Sequence, residues 1–546
     1  MKFDQILHSY LGEFGKYQKI LFFLVCIPTI WTAIHSLSWT FTAAVVPHRC
    51  RLQNENQSAP FKTKIKPPKD DESCKRYYWP ETPYLDSNQS VSASVGIETC
   101  KDGYVWDTSQ ITYSAITRWT IVCDRAYIRA VVQSMYYIGQ FFGSFFFGFL
   151  ADRTGRKMIF VAAILLQIIC GTAMAFVPYW PIFAIMRMGL GFVHPGIFVI
   201  ANVIGMEFLG PNKRKLAGVV THICFEVGMI VLGLTAYGIR DYRYLQAAIS
   251  LPALLMLTYY WIVPESPRWL VSQARYEEAD KILQKAARVN KVTLPADWHQ
   301  QLDQTSGQPI AKYSVLDLFR TPNIRRRTLI TFFCWPVVSM TYYGIQMNPS
   351  FLGGGPYFTF LIAAAMAIPG LFVVLFALDH VGRRIFCSGG FLLASLCLLS
   401  TPLIPESVFF LRLIQLFISK MAITAAYCVM YIFTPELFPT SLRGTATGSC
   451  SMVARVGSVS ASYISMWLVN KNKWAMVLVF GPFTLTAGIL AYFLPETTGK
   501  PLPETIEDAE RQSSNAGLCC QKSRSDSASM EEVGLGEKEK LKEEIA

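Results

Sequence analysis

The sequence predicts an all-α polytopic membrane protein of about twelve transmembrane helices, built as two pseudo-symmetric six-helix halves. Three observations predict this. The 546 residues are 52% hydrophobic and only 16% charged, too little charge to cover a soluble protein of that size. Apolar runs long enough to cross a bilayer, roughly 20 residues each, recur about twelve times. Landmarks of the first half also return in the second at a nearly constant offset. Asp152 and Asp379 are 227 residues apart, Glu207 and Glu436 are 229 apart, as are Arg214 and Arg443, and Pro264 and Pro495 are 231 apart. An internal repeat of that length means one six-span unit used twice.

The spans read, in order, as 20–46, 128–150, 157–177, 181–205, 216–238 and 244–263, then 328–348, 356–378, 385–404, 408–433, 444–469 and 473–494. The first is too long for the apolar region of a cleavable signal, and Asp4, Glu13, Lys16 and Lys19 precede it. Residues 1–19 are therefore expected in the cytoplasm. Residues 47–127 form a long polar loop with Asn56-Gln-Ser58 and Asn88-Gln-Ser90, two N-glycosylation patterns at Asn56 and Asn88. The loop also carries Cys50, Cys74, Cys100 and Cys123, which fit two disulfides in any of three pairings. Placing it outside makes every later turn alternate consistently. Asp152 to Lys157, Asn212 to Lys215, the linker 264–327 with Arg325-Arg326-Arg327, and Arg383-Arg384 all fall inside. The linker contains a charged helical stretch from Tyr276, suited to the membrane surface. Residues 20–263 and 328–494 are the two halves, and 495–546 is a cytoplasmic tail, disordered from about residue 512. Of the ten other cysteines, eight sit in spans as inert thiols, and Cys519 and Cys520 lie in the tail.

The net charge of +12 is explained by Lys and Arg gathered in cytoplasmic loops, so nucleic acid is excluded as a partner. No nucleophile–base spacing, metal cluster or phosphate loop stands out. An enzyme, a cofactor and a metal are therefore not expected. Two six-helix halves facing a central cavity suit a transporter that holds its substrate near the midplane.

The turn Gly148-Phe-Leu-Ala-Asp152-Arg153-Thr-Gly155-Arg156-Lys157 resembles the loop signature of the major facilitator superfamily between its second and third helices. Within it, the chain resembles the organic cation/carnitine/organic anion transporter family, solute carrier family 22. The marks are Gly12-Glu-Phe-Gly-Lys-Tyr-Gln18, Pro47-His-Arg-Cys50, Pro264-Glu-Ser-Pro-Arg-Trp-Leu270, Glu436-Leu-Phe-Pro-Thr440 and Leu494-Pro-Glu-Thr-Thr-Gly499. They cover residues 1 to about 505. The resemblance implies a multi-pass plasma-membrane carrier of small organic ions, working by alternating access without ATP hydrolysis.

Ionisable groups inside spans need a reason. Asp152, Arg153, Arg156, Glu207, Asp379, Arg383, Glu436 and Arg443 are read as gating contacts that form and break as the halves rock. Arg187 is placed with them near the cytoplasmic ends. In the family, a position matching Arg455 tends to be acidic in cation carriers and arginine in anion and carnitine carriers. Arg455 therefore either forks onto a substrate carboxylate or pairs structurally with Glu226. The acid that family cation carriers hold before a proline is absent at Ala367-Ile368-Pro369, while Glu226 stands where the family usually has none. Lys420 adds positive potential. Trp335, Tyr342, Tyr343, Tyr427 and Tyr431 match or neighbour cavity positions and suit quaternary ammonium through cation–π contacts. His222 and Phe225 share a helix face with Glu226, and His222 keeps proton coupling open beside sodium. The expected cargo is a small organic cation or zwitterion, carnitine-like compounds included. Organic anions are the alternative, and a non-transporting sensor of the same fold is a third reading.

Overall fold

The computed structural model describes residues 7–52, 55, 61, 73–78, 96–210, 213–295, 298–301, 314–348, 355–439, 442–500, 503 and 505–510. Asn56, Asn88, Cys519 and Cys520 lie outside the described residues.

The first half comprises α1 (Lys16–Leu37, continued by Trp39–Thr42), α2 (Tyr127–Thr154), α3 (Arg156–Ala173), α4 (Trp180–Glu207), α5 (Arg214–Gly238) and α6 (Tyr242–Ser250). The sixth helix tightens into a 3-10 stretch, Leu251–Thr258, before ending at Tyr259–Ile262. The second half comprises α7 (Pro322–Met347), α8 (Pro356–Val381), α9 (Arg383–Ser400), α10 (Phe409–Leu437), α11 (Arg443–Tyr463, extended to Lys471) and α12 (Ala475–Tyr492). Eleven of these are long and apolar enough to cross a membrane. The remaining one, α2, carries Gln133, Ser134 and Gln140, all buried in the protein. Its polarity is turned inward, away from lipid. Exposed Phe145, Phe149, Leu255, Trp261, Phe376 and Phe410 form part of the apolar outer surface.

The charged turns are tighter than the sequence suggests. Asp152 and Arg153 are still helical, and the turn into α3 is Gly155 at φ +102°. Asp379 likewise belongs to α8, and Gly382 at φ +92° makes the turn into α9. Only glycine adopts such a backbone without strain. Proline opens α7 and α8, where its missing N–H costs no helical bond.

Within each half, helices meet over bare glycine. A Cβ on Gly143 of α2 would stand 1.9 Å from the Phe192 carbonyl oxygen of α4. Its repeat counterpart, Gly370 of α8, would meet the Met421 oxygen of α10 at 2.7 Å. Across the halves, α2 packs on α11 and α5 packs on α8.

One end of the bundle gathers the Leu7–Leu11 turn and two linker helices, Pro267–Ser272 and Tyr276–Asn290. Leu7, Leu11, Trp269, Leu270, Leu283 and Trp298 share a small core there. The Asn290 side chain accepts from the Tyr17 N–H and donates to the Leu11 carbonyl and the Gln18 side chain. At the opposite end, β1 (His48–Cys50) pairs antiparallel with β4 (Tyr104–Trp106), and β2 (Lys75–Tyr78) with β3 (Gly96–Thr99). The two disulfides there are Cys50–Cys100 and Cys74–Cys123. They select one of the three pairings that spacing leaves open.

Candidate functional site

A cavity lies between the halves, near mid-height of α4, α5 and α11. Glu226, His222 and Phe225 of α5 line it with His194 and Phe198 of α4. The other half contributes Tyr342 and Tyr343 of α7, Thr424, Tyr427 and Tyr431 of α10, and Arg455 of α11. Its volume of about 30 Å³ has room for about two waters. Small-molecule sites typically run to roughly 300–1,000 Å³, so this is a contracted form that must widen to admit an organic ligand.

Eight of the ten residues expected to bind substrate line this cavity; Trp335 and Lys420 stand behind its wall. The Trp335 indole N–H donates to Thr434 Oγ1 at 3.0 Å, and its ring meets Tyr431 edge-on at 4.7 Å. Lys420 places its Nζ 3.4 Å from the Tyr342 ring centroid. The tyrosines brace one another edge to face, Tyr342 with Tyr343 at 4.9 Å and with Tyr427 at 5.4 Å. Such contacts fix the orientation of the rings in the wall.

Glu226 is 1% exposed. The Tyr342 hydroxyl donates to its Oε1 at 2.5 Å, a bond that crosses from one half to the other. Oε2 has no partner. Arg455 is 4% exposed and donates from Nη2 to Ser451 Oγ at 3.3 Å, while its Nε has no partner. Among the described residues no carboxylate lies within ion-pair distance of Arg455. The structural pair with Glu226 that the sequence admits does not form here.

The repeat explains this arrangement. Glu226-Val-Gly228 and Arg455-Val-Gly457 are 229 residues apart, so an acid and a base hold equivalent places in the two halves. The glycine after each closes the helix onto its neighbour. A Cβ on Gly228 would lie 2.5 Å from the Ile30 carbonyl oxygen, and one on Gly457 would lie 1.9 Å from that of Pro336.

His194, Phe198 and Thr424 are cavity residues that sequence reasoning missed. His194 was within reach, since it is an ionisable group inside a span. Its Nδ1 pairs with the Tyr136 hydroxyl at 2.9 Å. Phe198 and Thr424 carry no such mark. Arg187 is a correction. It is expected near the cytoplasmic ends but sits toward the strand-bearing end, two turns into α4. There its guanidinium holds α1 and α2 through the His35 and Ser36 carbonyls, the Ser38 hydroxyl and Gln133 Oε1 at 2.7 Å.

Six of the eight residues expected to gate form two matching networks at the end bearing the linker helices. In the first half Arg156 reaches Asp152 at 3.0 Å and Glu207 at 3.5 Å. In the second, Arg383 reaches Asp379 at 3.0 Å and Glu436 at 3.4 Å. Sequence reasoning missed the two acids that complete them, although Pro264 and Pro495 beside them marked the repeat. Glu265 accepts from the Arg156 and Lys157 N–H groups, and Glu496 from those of Arg383 and Arg384. Each caps a helix N-terminus, where a carboxylate meets free amides and the positive end of the dipole. Burial pushes the Glu496 carboxyl up, but hydrogen bonds from the Thr498 hydroxyl and the Thr498, Arg383 and Arg384 amides outweigh it and hold it below the usual carboxylate range. Arg153 lies over the Phe149 ring at 4.2 Å, and the Arg443 Nε–H donates to the Pro435 carbonyl at 2.7 Å. Lys215 of α5 pairs with Asp379 of α8, joining one half to the other. The place equivalent to Lys215, 229 residues on, is Gly444, so Asp152 meets no matching lysine there.

The family model described as sugar (and other) transporter matches residues 90–509. The organic cation transporter protein of Drosophila melanogaster is 39% identical over 525 residues, covering 93% of this chain and 95% of that protein. Solute carrier family 22 member 4 of Mus musculus is 32% identical, with 93% and 95% covered. Organic cation/carnitine transporter 2 of Homo sapiens is 30% identical, with 93% and 94% covered. Among solved structures, the partially occluded inward open xylose transporter XylE from E. coli superposes with a TM-score of 0.60 at 15% identity, covering 89% of this chain and all of that one (100%). That likeness is one of fold.

Proposed function

From the premise that the chain belongs to the sugar (and other) transporter family, and within it to the organic cation/carnitine/organic anion transporters of solute carrier family 22, we propose that it carries small organic cations and zwitterions of the carnitine type by alternating access. One observation carries the cargo: a buried carboxylate and a buried guanidinium at equivalent places in the two halves, with tyrosines between. A quaternary ammonium fits the tyrosine faces beside Glu226, and a carboxylate fits the open guanidinium of Arg455. The names of the relatives support the cation side. Organic anions are the second reading, favoured by two buried cations, Arg455 and Lys420, against Glu226 alone.

An uptake panel in expressing cells tests the proposal, with tetraethylammonium, carnitine and p-aminohippurate, each with and without sodium. Saturable uptake of the first two is expected. Uptake of the hippurate alone makes the anion reading correct, and no uptake of any of the three leaves the sensor reading.

The end bearing the linker helices faces the cytoplasm in this reading, and the protein resides in the plasma membrane. The two charge networks with Lys215–Asp379 then close the inner gate. Asp379 is 50% exposed, so the pair is worth at most about 1 kcal/mol, roughly a fivefold population shift. Lys215→Glu is expected to slow carnitine uptake severalfold at equal surface abundance, and Lys215→Arg, which keeps the pair with Asp379, to retain it. Undiminished uptake by Lys215→Glu removes this contact from the gate.

A further inference from the structure

Glu226 is the one carboxylate among the described residues that line the cavity, and its Oε2 is buried with no hydrogen bond. The groups that face it are few. From α7, Tyr342 holds Oε1, and Tyr343 lines the next part of the wall. From α10, Lys420 turns its ammonium onto the Tyr342 ring and the Tyr342 carbonyl, outside ion-pair distance of Glu226, while Tyr427 and Tyr431 line the wall. His194 of α4 is taken up by Tyr136, and the Nδ1 of His222 by the Gly218 carbonyl. Arg455 of α11 closes the far side. The two other helices that flank α5 bring nothing closer. On α1, Cys26 lies against Thr221 and His35 turns toward Gly171. The titratable residues of α8 (Tyr357, Asp379 and His380) stand at its ends.

An ionised carboxylate here leaves one oxygen bare in a low-dielectric wall, far costlier than burying the neutral acid. Oε2 is itself buried, so water in the cavity does not reach it. We propose that Glu226 is the coupling site of a proton–cation exchanger. In the empty carrier it holds a proton on Oε2. A quaternary ammonium entering the tyrosine cage takes that proton's place, and the proton leaves to the side from which the substrate came. The step balances: the O–H bond of the acid breaks, its electron pair stays on the carboxylate, and the substrate's positive charge replaces the proton's. After the halves rock, the cation departs and a proton from the second side restores the acid. One proton moves against one cation, and the closed cavity carries the same charge in both crossings. This rests on the organic-cation reading above and adds the coupling ion to it.

The test uses purified full-length protein in weakly buffered detergent, with pyranine reporting pH and tetraethylammonium as the probe. One proton is expected to be released per cation bound, and the Kd is expected to fall about tenfold per pH unit as pH rises, until Glu226 ionises unaided. In proteoliposomes an acidic lumen should drive tetraethylammonium uptake while the lumen turns alkaline. Glu226→Gln, which mimics the protonated acid, should release no proton and lose the pH dependence. Saturable tetraethylammonium binding without proton release overturns the inference and leaves the organic-cation reading standing. Release that persists in Glu226→Gln overturns it equally. If Glu226→Gln does not fold, the wild-type stoichiometry and pH slope decide alone. No binding or uptake of tetraethylammonium by the wild type overturns the inference together with the reading beneath it.

Discussion

Replacing Arg455 with alanine lowers carnitine uptake by roughly 30- to 150-fold and leaves tetraethylammonium uptake largely intact. The magnitude follows from losing a charge-assisted hydrogen-bonded contact to a carboxylate, about 2–3 kcal/mol. The selectivity follows from the cargo, because tetraethylammonium has no carboxylate to lose. Folding should survive. Arg455 is buried with a single serine contact and, among the described residues, no carboxylate partner, so its removal leaves no orphaned acid behind. Breaking a true buried pair would instead be strongly destabilising. Arg455→Asp should go further and favour cations over zwitterions. The measurement is initial uptake of both compounds, normalised to surface abundance. An equal fall for both, with the protein at the surface, would mean that Arg455 arranges the tyrosines and does not bind carboxylate. A collapse of surface expression would mean that it is structural.

The second large effect is on folding. Gly191→Val should cost at least about 3 kcal/mol and remove most of the well-folded protein. Overpacking usually costs about 1–3 kcal/mol where side chains can give way. Here a Cβ would lie 1.8 Å from the Tyr136 backbone oxygen, and backbone cannot turn aside. Gly139 and Gly143 on the facing helix make the same kind of contact, at 2.0 Å from the Met188 oxygen and 1.9 Å from that of Phe192. The α2–α4 seam is therefore bare on both sides, as expected where close van der Waals approach drives helix association in lipid. The seam also sets the bond between Tyr136 and the cavity residue His194. Gly218→Val, on α5 with nothing within 4 Å, is the control. Melting temperature and the monodisperse fraction in detergent report the outcome. A Gly191→Val protein that melts with the wild type would show that the seam can spread at little cost.

Most of the candidate site was legible as a set of types and heights. Glu226, Arg455 and the four cavity tyrosines stand out because charged and amphipathic groups are scarce in these spans. The misses have a common cause. Phe198 looks like any lipid-facing phenylalanine, and Thr424 looks like any helix threonine bonded to its own backbone at Lys420. Trp335 and Lys420 differ from the lining residues only in which way their helix is turned.

By itself the sequence determined the twelve spans, the doubled six-helix unit, and the charges held within the membrane-spanning segments. Those follow from simple rules: span length, a repeated offset and the cost of charge in an apolar setting. Only the tertiary structure decided which cysteines pair, that Glu226 bonds Tyr342 and not Arg455, that Glu265 and Glu496 cap α3 and α9, and which faces of α4, α7 and α10 form the wall. In water, a helix's apolar stripe reveals its inner face. In a bilayer the lipid side is as apolar as the protein core, and helices such as α8 and α12 are apolar all round. Their rotation is then settled by packing alone, by which glycine admits which backbone and which buried polar atom finds its partner.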